Sequence, residues 1–192
     1  MTAAKPIASI ARTITLLAVL GVLLPVPALA SSATPPQSLT PKSTKKTTAA
    51  ERALLDSPQL WATIDVCDPS DQPNTVGVRG SMPGDDHSKD HMYMSFRLQY
   101  INATTKQWID LSKTTPAFIA VGAAKAARQG GSSFELKPVT GQPAFTMRGV
   151  VSFQWRRGST VEYTVSRPTT AGHTSLTGAD PVGFTAATCM IG

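Results

Sequence analysis

The sequence predicts an all-β fold in which two antiparallel sheets pack face to face. About nine short segments alternate apolar with polar residues, and turn-forming residues separate them at intervals of roughly eight to twelve residues. Almost no segment has helical periodicity, so the crossover helices that a parallel sheet requires are missing. A two-sheet sandwich with one short N-terminal helix is therefore the predicted architecture.

The composition predicts one folded domain without strong electrostatic character. The chain has 192 residues, of which 41% are hydrophobic and 16% are charged. That hydrophobic content is enough for a packed core, and so few charges are atypical of a disordered chain. From Ser57 onward the chain carries 12 basic and 10 acidic residues. Nucleic-acid binding is not expected, because it needs a concentrated basic stripe.

Residues 1–30 have the three-part organisation of a secretory leader. Lys5 and Arg12 give a positive start, residues 14–24 form an apolar run, and residues 28–30 have the A-x-A pattern of small residues found at cleavage sites. The alternative is a membrane anchor, but this run is much shorter than the roughly 20 residues that span a bilayer. We expect cleavage after the last of these residues, secretion to the extracellular space and no membrane attachment afterwards.

Residues 31–47 are predicted to form a disordered tether. Ser, Thr, Pro and Lys make up 14 of these 17 residues, so the segment cannot bury enough apolar surface to fold. Its three lysines are interpreted as solubilising charges, with attraction to a wall or membrane surface as the alternative.

A short helix is predicted over residues 48–56. Thr48 and Glu51 have the spacing of a capping box, in which a hydroxyl and a carboxylate each satisfy an unpaired backbone amide. Asp56, Ser57 and Pro58 then end the helix, and the sandwich domain is assigned to residues 57–192.

The first strands of this domain follow from alternation with a period of two. Residues 60–66 and residues 76–82 each place apolar side chains on one face, with a turn-rich segment at 68–74 between them. The alternation is cleanest in residues 92–101, where five apolar side chains alternate with polar ones. That pattern is typical of a half-buried strand.

The second half of the domain contains the clearest hairpin. Residues 145–155 and 161–165 alternate in the same way on either side of a turn at 156–159. Residues 123–129 are the one mid-chain helical candidate, which Gly130 and Gly131 would end. Four shorter strands are predicted at residues 107–111, 118–121, 134–137 and 184–190.

This strand pattern, from Trp61 to Ile191, resembles the immunoglobulin-like and fibronectin type III-like modules of secreted bacterial proteins. The resemblance implies an antiparallel two-sheet sandwich of the immunoglobulin-like type. The sequence departs from the family at one position, because an immunoglobulin domain has a core Trp about a dozen residues after its first Cys. Here Trp108 follows Cys67 much later in the chain. The family's inter-sheet disulfide geometry and its functions are therefore not transferred to this chain.

The two cysteines predict a disulfide between the ends of the domain. Cys67 ends the first strong strand and Cys189 lies in the last one. An exported chain meets an oxidising environment, in which an even pair of cysteines usually joins. The alternative, a pair of reactive or metal-binding thiols, lacks a Cys-x-x-Cys motif or a His at ligand spacing.

The densest group of potential metal ligands lies in residues 84–91. Imidazoles favour zinc or copper and carboxylates favour calcium, but the spacing matches no known calcium loop or zinc helix. The alternative, a hydrated polar loop between two strands, is the favoured interpretation. A distant histidine would complete a three-imidazole site if both loops share one end of the sandwich. The candidate metal ligands are Asp85, Asp86, His87, Asp90, His91 and His173.

A second candidate surface consists of arginines around the predicted hairpin. Guanidinium groups stack on aromatic faces and bind carboxylate or phosphate in two-point fashion, which suits an anionic glycan or a wall polymer. The alternative is that these arginines cover apolar strand surface and discourage edge pairing. Trp61, Trp108 and Trp155 could line a sugar platform, but large aromatics in alternating strands favour the core. The candidate ligand-binding residues are Arg148, Trp155, Arg156, Arg157 and Arg167.

The sequence contains no catalytic motif that would name a reaction. There is no Gly-x-Ser-x-Gly elbow and no phosphate-binding glycine loop, and no catalytic residue or cofactor is predicted. Three functions remain open: a secreted module that binds an extracellular glycan or protein, a structural or accessory envelope protein without a small-molecule site, and a metal-binding enzyme or carrier. The first is favoured, with the protein as a monomer.

Overall fold

The computed structural model describes residues 47–113, 115–173 and 178–192. Within them the chain forms one short helix and nine strands, which confirms the prediction of antiparallel sheets packed together. The predicted leader and tether lie outside the described residues, apart from Thr47. In the described part of the chain, no helix has the length and apolar character needed to cross a membrane.

Helix α1 spans Ala49–Leu55 and begins after the predicted capping residue. The Thr48 hydroxyl accepts a hydrogen bond from the Glu51 backbone N–H at 3.1 Å. This contact satisfies one of the amides that a helix start leaves unpaired. So short a helix is not stable by itself in water, and the buried side chain of Leu54 attaches it to the core.

The nine strands form two sheets. The three-stranded sheet contains β1 (Trp61–Cys67), β2 (Thr75–Met82) and β6 (Arg128–Glu135), in the order β1-β2-β6. The six-stranded sheet contains β3 (Asp90–Ile101), β4 (Trp108–Asp110), β5 (Ile119–Ala123), β7 (Phe145–Arg157), β8 (Thr160–Pro168) and β9 (Cys189–Ile191). Its central order is β4-β3-β7-β8, while β5 pairs with the start of β3 and β9 pairs with the start of β7.

The long pairing of β3 with β7 forms the centre of the six-stranded sheet. It is antiparallel and continuous from Asp90 opposite Arg157 to Tyr100 opposite Met147. Strand β7 then turns into β8 at Gly158, whose φ of +61° favours glycine, and this confirms the predicted hairpin.

The hydrophobic core lies between the sheets and follows the predicted alternation. On β3, Met92 and Met94 are fully buried, and on β7, Phe153 and Trp155 are fully buried. Burial of such large apolar side chains is the main favourable term in folding. The largest fully buried side chains of the domain are Trp155, Phe153, Ile64, Met82, Met92, Met94, Met147 and Ile191.

The two sheets approach closely at Gly149. A Cβ atom at this position would lie 2.6 Å from Cγ1 of Val78 on the facing sheet and 2.8 Å from Cγ2 of Thr169. Both contacts are shorter than real Cβ atoms tolerate, so the packing here requires a residue without a side chain.

The predicted helix over residues 123–129 is wrong. Residue 123 ends β5, a turn follows, and Arg128 already begins β6, which pairs with β2 along eight residues. Ala and Lys favour helix in this segment, but seven residues provide little helical stability. A full-length ladder to β2 therefore outweighs the local propensity, and β6 starts well before the predicted 134–137.

The predicted strand over residues 184–190 is present only at its end, as β9. The chain before it runs across β1 instead, where the backbone of Ala186 bonds to that of Ile64 in both directions at 2.9 Å. The hydroxyls of Thr63 and Thr185 lie 2.7 Å apart, and Asp65 is buried beside Arg79 at 2.7 Å. This cover explains why β1 is buried on both faces.

The predicted disulfide is confirmed. Cys67 at the end of β1 is bonded to Cys189 at the start of β9, with 5.6 Å between the two Cα atoms. Because these strands belong to different sheets, the bond joins the two layers as well as the two ends of the domain.

Candidate functional site

The outer surface of the six-stranded sheet carries polar and charged side chains in the positions that alternate with the core. Arg97 on β3 and Arg148 and Arg156 on β7 share this surface, and we call these three residues with their aromatic neighbours the arginine face. The two arginines of β7 are eight positions apart, which corresponds to roughly 26 Å along the strand. The face is therefore long enough to contact several units of a polymer.

One end of the arginine face is a stack on Arg156. Its guanidinium carbon lies 4.2 Å from the centre of the Tyr93 ring and 5.1 Å from the centre of the Phe118 ring. Nε of Arg156 also donates to the side-chain oxygen of Gln154 at 2.8 Å. Cation–π contacts and this hydrogen bond fix the side chain, so little conformational entropy would be lost when it contacts a ligand.

The other end is a stack on Arg148. Its guanidinium carbon lies 4.4 Å from the centre of the Trp108 ring, and its Nε donates to the Gln99 side-chain oxygen at 2.9 Å. The Gln99 amide in turn donates to Asp110 at 2.8 Å. A guanidinium has five N–H donors, and among the described residues these hydrogen bonds use only one nitrogen of Arg148.

Arg97 lies between the two stacks and forms an ion pair with Asp110. Its Nε is 3.2 Å from the carboxylate, but the angle gives no hydrogen bond and the buried Nε has no hydrogen-bond partner in the described part of the chain. Partial burial, and then the charge of Arg97, lower the pKa of Arg148 below its ordinary value. Arg97 and Arg148 therefore share the region of one carboxylate and repel each other, which favours an incoming anion at this end of the face.

The β3 side of this face is partly covered by the chain between β4 and β5. The Ser95 hydroxyl donates to the Pro116 carbonyl at 3.1 Å, so this segment crosses over the middle of β3. Beside it lies a hollow of about 440 Å³ that is lined by Arg97, Asp110 and Lys113 among others. The β7 side stays accessible, with Ser152 and Gln154 half-buried and Ser166 exposed.

The five predicted ligand-binding residues do not form one surface. Arg148 and Arg156 lie on the arginine face, but Trp155 is fully buried and its indole N–H donates to the Pro83 carbonyl at 3.0 Å. Arg157 instead binds Asp90, and Arg167 donates to the carbonyl of Leu55 at the end of α1 at 3.0 Å. Neighbours in a strand face opposite ways, so residues 155 and 157 could not share a face with residue 156. Sequence reasoning missed Arg97, Tyr93 and Phe118 as members of the site, although alternation in β3 already placed Arg97 on the polar side.

The second candidate region is the loop before β3 together with a cavity of about 470 Å³. The cavity lies between α1, this loop, the turn after β5 and Tyr163. Asp85, His87 and Asp90 each place one potential ligand atom within 4.8 Å of the others, so the structure brings together three of the six predicted metal ligands.

The other three predicted metal ligands lie elsewhere. Asp86 is exposed in a left-handed backbone conformation with a φ of +66°, and His91 lies on β3 opposite Arg156. His173 stacks on Trp61, with 4.4 Å between the ring centres and 17° between the planes. The three-imidazole site that the sequence suggested is therefore not formed, because the loop that contains His173 packs beside β1.

The carboxyl groups of Asp85 and Asp90, which this region brings together, have opposite electrostatic environments. Burial raises the pKa of Asp85, and the nearby charge of Asp90 raises it further. The pKa of Asp90 is lowered because Arg157 donates two hydrogen bonds to it, each of 2.8 Å.

Acid should destabilise the domain in part through His173. Burial lowers the pKa of His173 below the ordinary 6.5, so the folded state favours the neutral ring. Its contribution to stability is present above pH 6.5 and is lost as the pH falls through that value toward the lower folded pKa. The variant His173→Phe can keep the stack on Trp61 and cannot titrate. In urea titrations at pH 7.5 and 5.0, we expect the variant to lose less stability on acidification than the wild type; an equal loss would contradict the assignment.

No protein-family model matches the chain, and no curated protein matches it.

Proposed function

We propose that this protein is exported and binds an extracellular polyanion, such as an acidic glycan or a wall polymer, through the arginine face. The observation that carries the proposal is the set of three half-buried guanidinium groups on one surface of the sheet, two of them stacked on aromatic rings and the third beside Asp110. Arginines whose side chains are held in place by such contacts can bind carboxylate, sulfate or phosphate groups through two hydrogen bonds at once.

The shape of the surface supports a polymer rather than a compact ligand. The two stacks lie at opposite ends of β7, and the strand between them presents half-buried Ser152 and Gln154, which can donate hydrogen bonds to sugar hydroxyls. A chain with an acidic group in each repeat can contact both stacks at once, and linked contacts increase affinity without any new type of contact.

The disulfide supports the extracellular part of the proposal. Such bonds form and persist in oxidising compartments and are rare in the cytosol of most organisms. We also propose that the sandwich is immunoglobulin-like and acts as a monomeric binding module behind a cleaved leader and a flexible tether.

Binding should depend on the two stacked arginines and not on net charge alone. We expect the double variant R148Q/R156Q to bind heparin and polygalacturonate at least about tenfold more weakly than the wild type, since each charged hydrogen bond contributes about 1.5 to 3 kcal/mol. The measurement is fluorescence anisotropy with labelled polymer at several salt concentrations, because screening weakens such binding.

The matched control removes the same charge from other parts of the domain. Arg52 on α1 and Arg128 on β6 are exposed and lie outside the arginine face, so R52Q/R128Q should retain most of the affinity. Equal losses in both double variants would show non-specific attraction. Failure of the wild type to bind either polymer saturably would favour a structural or accessory role in the envelope.

A further inference from the structure

The loop before β3 is held rigidly against the turn after β5. The backbone N–H of Asp85 donates to the Ala124 carbonyl at 2.9 Å, and the N–H of Ala124 donates to the Asp90 carbonyl at 2.8 Å. Gly84 makes this close approach possible, because a Cβ there would lie 2.5 Å from the Ala124 oxygen. The loop therefore presents its side chains from a fixed backbone.

One carboxylate oxygen in this loop is buried without a hydrogen bond. The Asp85 side chain is only 4% exposed, and its Oδ2 has no hydrogen-bond partner in the described part of the chain. Its other oxygen accepts from the backbone N–H of His87 at 2.9 Å. A buried polar atom without a partner is rare and costly, and in many proteins such an atom is a ligand of a bound ion.

The neighbours of this oxygen are further potential ligands. Asp85 and Asp90 each place a carboxylate oxygen, and His87 places a ring nitrogen, within 4.8 Å of one another. Nδ1 of His87 lies 2.8 Å from the Asp85 carbonyl oxygen, which can only accept, so a metal would bind Nε2 or displace this hydrogen bond. Ionised carboxylates only accept hydrogen bonds, so neither Asp can satisfy the other without a cation or a proton between them.

Arg157 does not replace a cation at this position. It binds both oxygens of Asp90, but each carboxylate oxygen has a second lone pair. Carboxylates that bind a metal are commonly held in this way by an outer partner, which fixes their orientation. Two carboxylates against one guanidinium also leave the cluster with a net negative charge.

We propose that Asp85, His87 and Asp90 form a binding site for a divalent transition-metal ion, with Zn²⁺ as the representative. Two oxygens and one imidazole nitrogen are a ligand set that zinc accepts, whereas calcium and magnesium prefer oxygen alone. The site lies at the edge of the cavity beside α1, so water or a ligand group in the cavity can occupy the remaining position. With three protein ligands and one open position, this site would differ from a structural zinc site, in which four protein ligands leave no position open.

Zinc binding by protein produced with its leader and stripped with chelator tests the site. Isothermal titration with ZnCl₂ should give one ion per chain. At a hundredfold excess over Kd, the melting temperature should rise by roughly 5 to 10 °C, because an ion that binds only the folded state stabilises it.

Two variants and two matched controls locate the ion. We expect Asp85→Asn and His87→Gln to weaken Zn²⁺ binding by tenfold or more; the new amide of the first can donate to Asp90, so the fold is preserved. Asp86→Asn and His91→Gln remove the same groups from positions outside the cluster and should leave binding unchanged.

Three results would overturn the proposal. They are the absence of saturable Zn²⁺ binding to the wild type up to millimolar concentration, full affinity in both cluster variants, and a loss of affinity in His91→Gln equal to that in His87→Gln. Near-ultraviolet circular dichroism of each variant establishes that a loss of affinity does not come from unfolding.

Discussion

Replacing Cys67 and Cys189 together with alanine should lower the free energy of unfolding by about 4 to 5 kcal/mol. The bond closes a loop between residues 122 positions apart, and on the chain-entropy model a loop of that length restricts the unfolded chain by about this amount. Because domains of this size are stable by only about 5 to 15 kcal/mol, the loss would leave the fold marginal. Alanine is preferred to serine, since Cys189 is buried and a hydroxyl there would need a partner.

Urea denaturation followed by circular dichroism measures the effect. Reduction of the wild type should reproduce the loss seen in the double variant, because both remove the same link between the sheets. A loss below about 1 kcal/mol in both experiments would contradict the role given to the bond, as would a reduced protein that unfolds at the wild-type urea midpoint.

Replacing Trp155 with alanine should destabilise the domain by about 3 to 5 kcal/mol. The side chain is fully buried between the sheets and lies edge-on to Tyr163, with 6.4 Å between the ring centres. Its removal loses the transfer free energy of a large aromatic group and leaves a cavity. It also leaves the Pro83 carbonyl, at the start of the loop that holds Asp85, without its donor.

A second variant separates packing from the hydrogen bond. Trp155→Phe keeps most of the apolar volume and removes the indole N–H, so it should cost less than Trp155→Ala, about 1 to 3 kcal/mol. Equilibrium unfolding in urea compares the two. A Trp155→Ala variant as stable as the wild type would contradict the prediction that the buried indole makes a large contribution to the stability of the core.

Alternation with a period of two accounts for most of the fold that could be predicted. It placed Met92, Met94 and Phe153 on buried faces, because a strand with one face on the core must alternate. It located only the end of β6, because the sequence from Arg128 to Glu135 has glycines and serines in place of a clear apolar stripe. That strand forms through backbone pairing with β2, a long-range interaction that local sequence does not encode.

Only part of the arginine face could be predicted from the sequence, for a related reason. Sequence proximity grouped Arg156 with Arg157, yet neighbours in a strand project to opposite faces. The same rule applied to β3 would have found Arg97. The stacking of Arg156 on Phe118 could not have been found this way, since it depends on how the segment after β4 returns to β3.

The three potential metal ligands that come together lie in the loop before β3 and at the first residue of that strand, and sequence spacing alone could suggest them. Asp85 and Asp90 converge because both flank the contact to Ala124. Sequence could not place His173, which follows β8 and packs on Trp61 of the other sheet. Whether residues so far apart in the sequence come together in space depends on the tertiary fold.

The arginine face can be observed directly through the Nε–Hε resonances of its side chains in a ¹⁵N-labelled sample. Titration with a sulfated heparin oligosaccharide should shift the resonances of Arg97, Arg148 and Arg156, while those of the exposed Arg52 and Arg128 stay near their free positions. Shifts confined to Arg52 and Arg128, or spread equally over all five at each salt concentration, would contradict the assignment of this face as the binding surface.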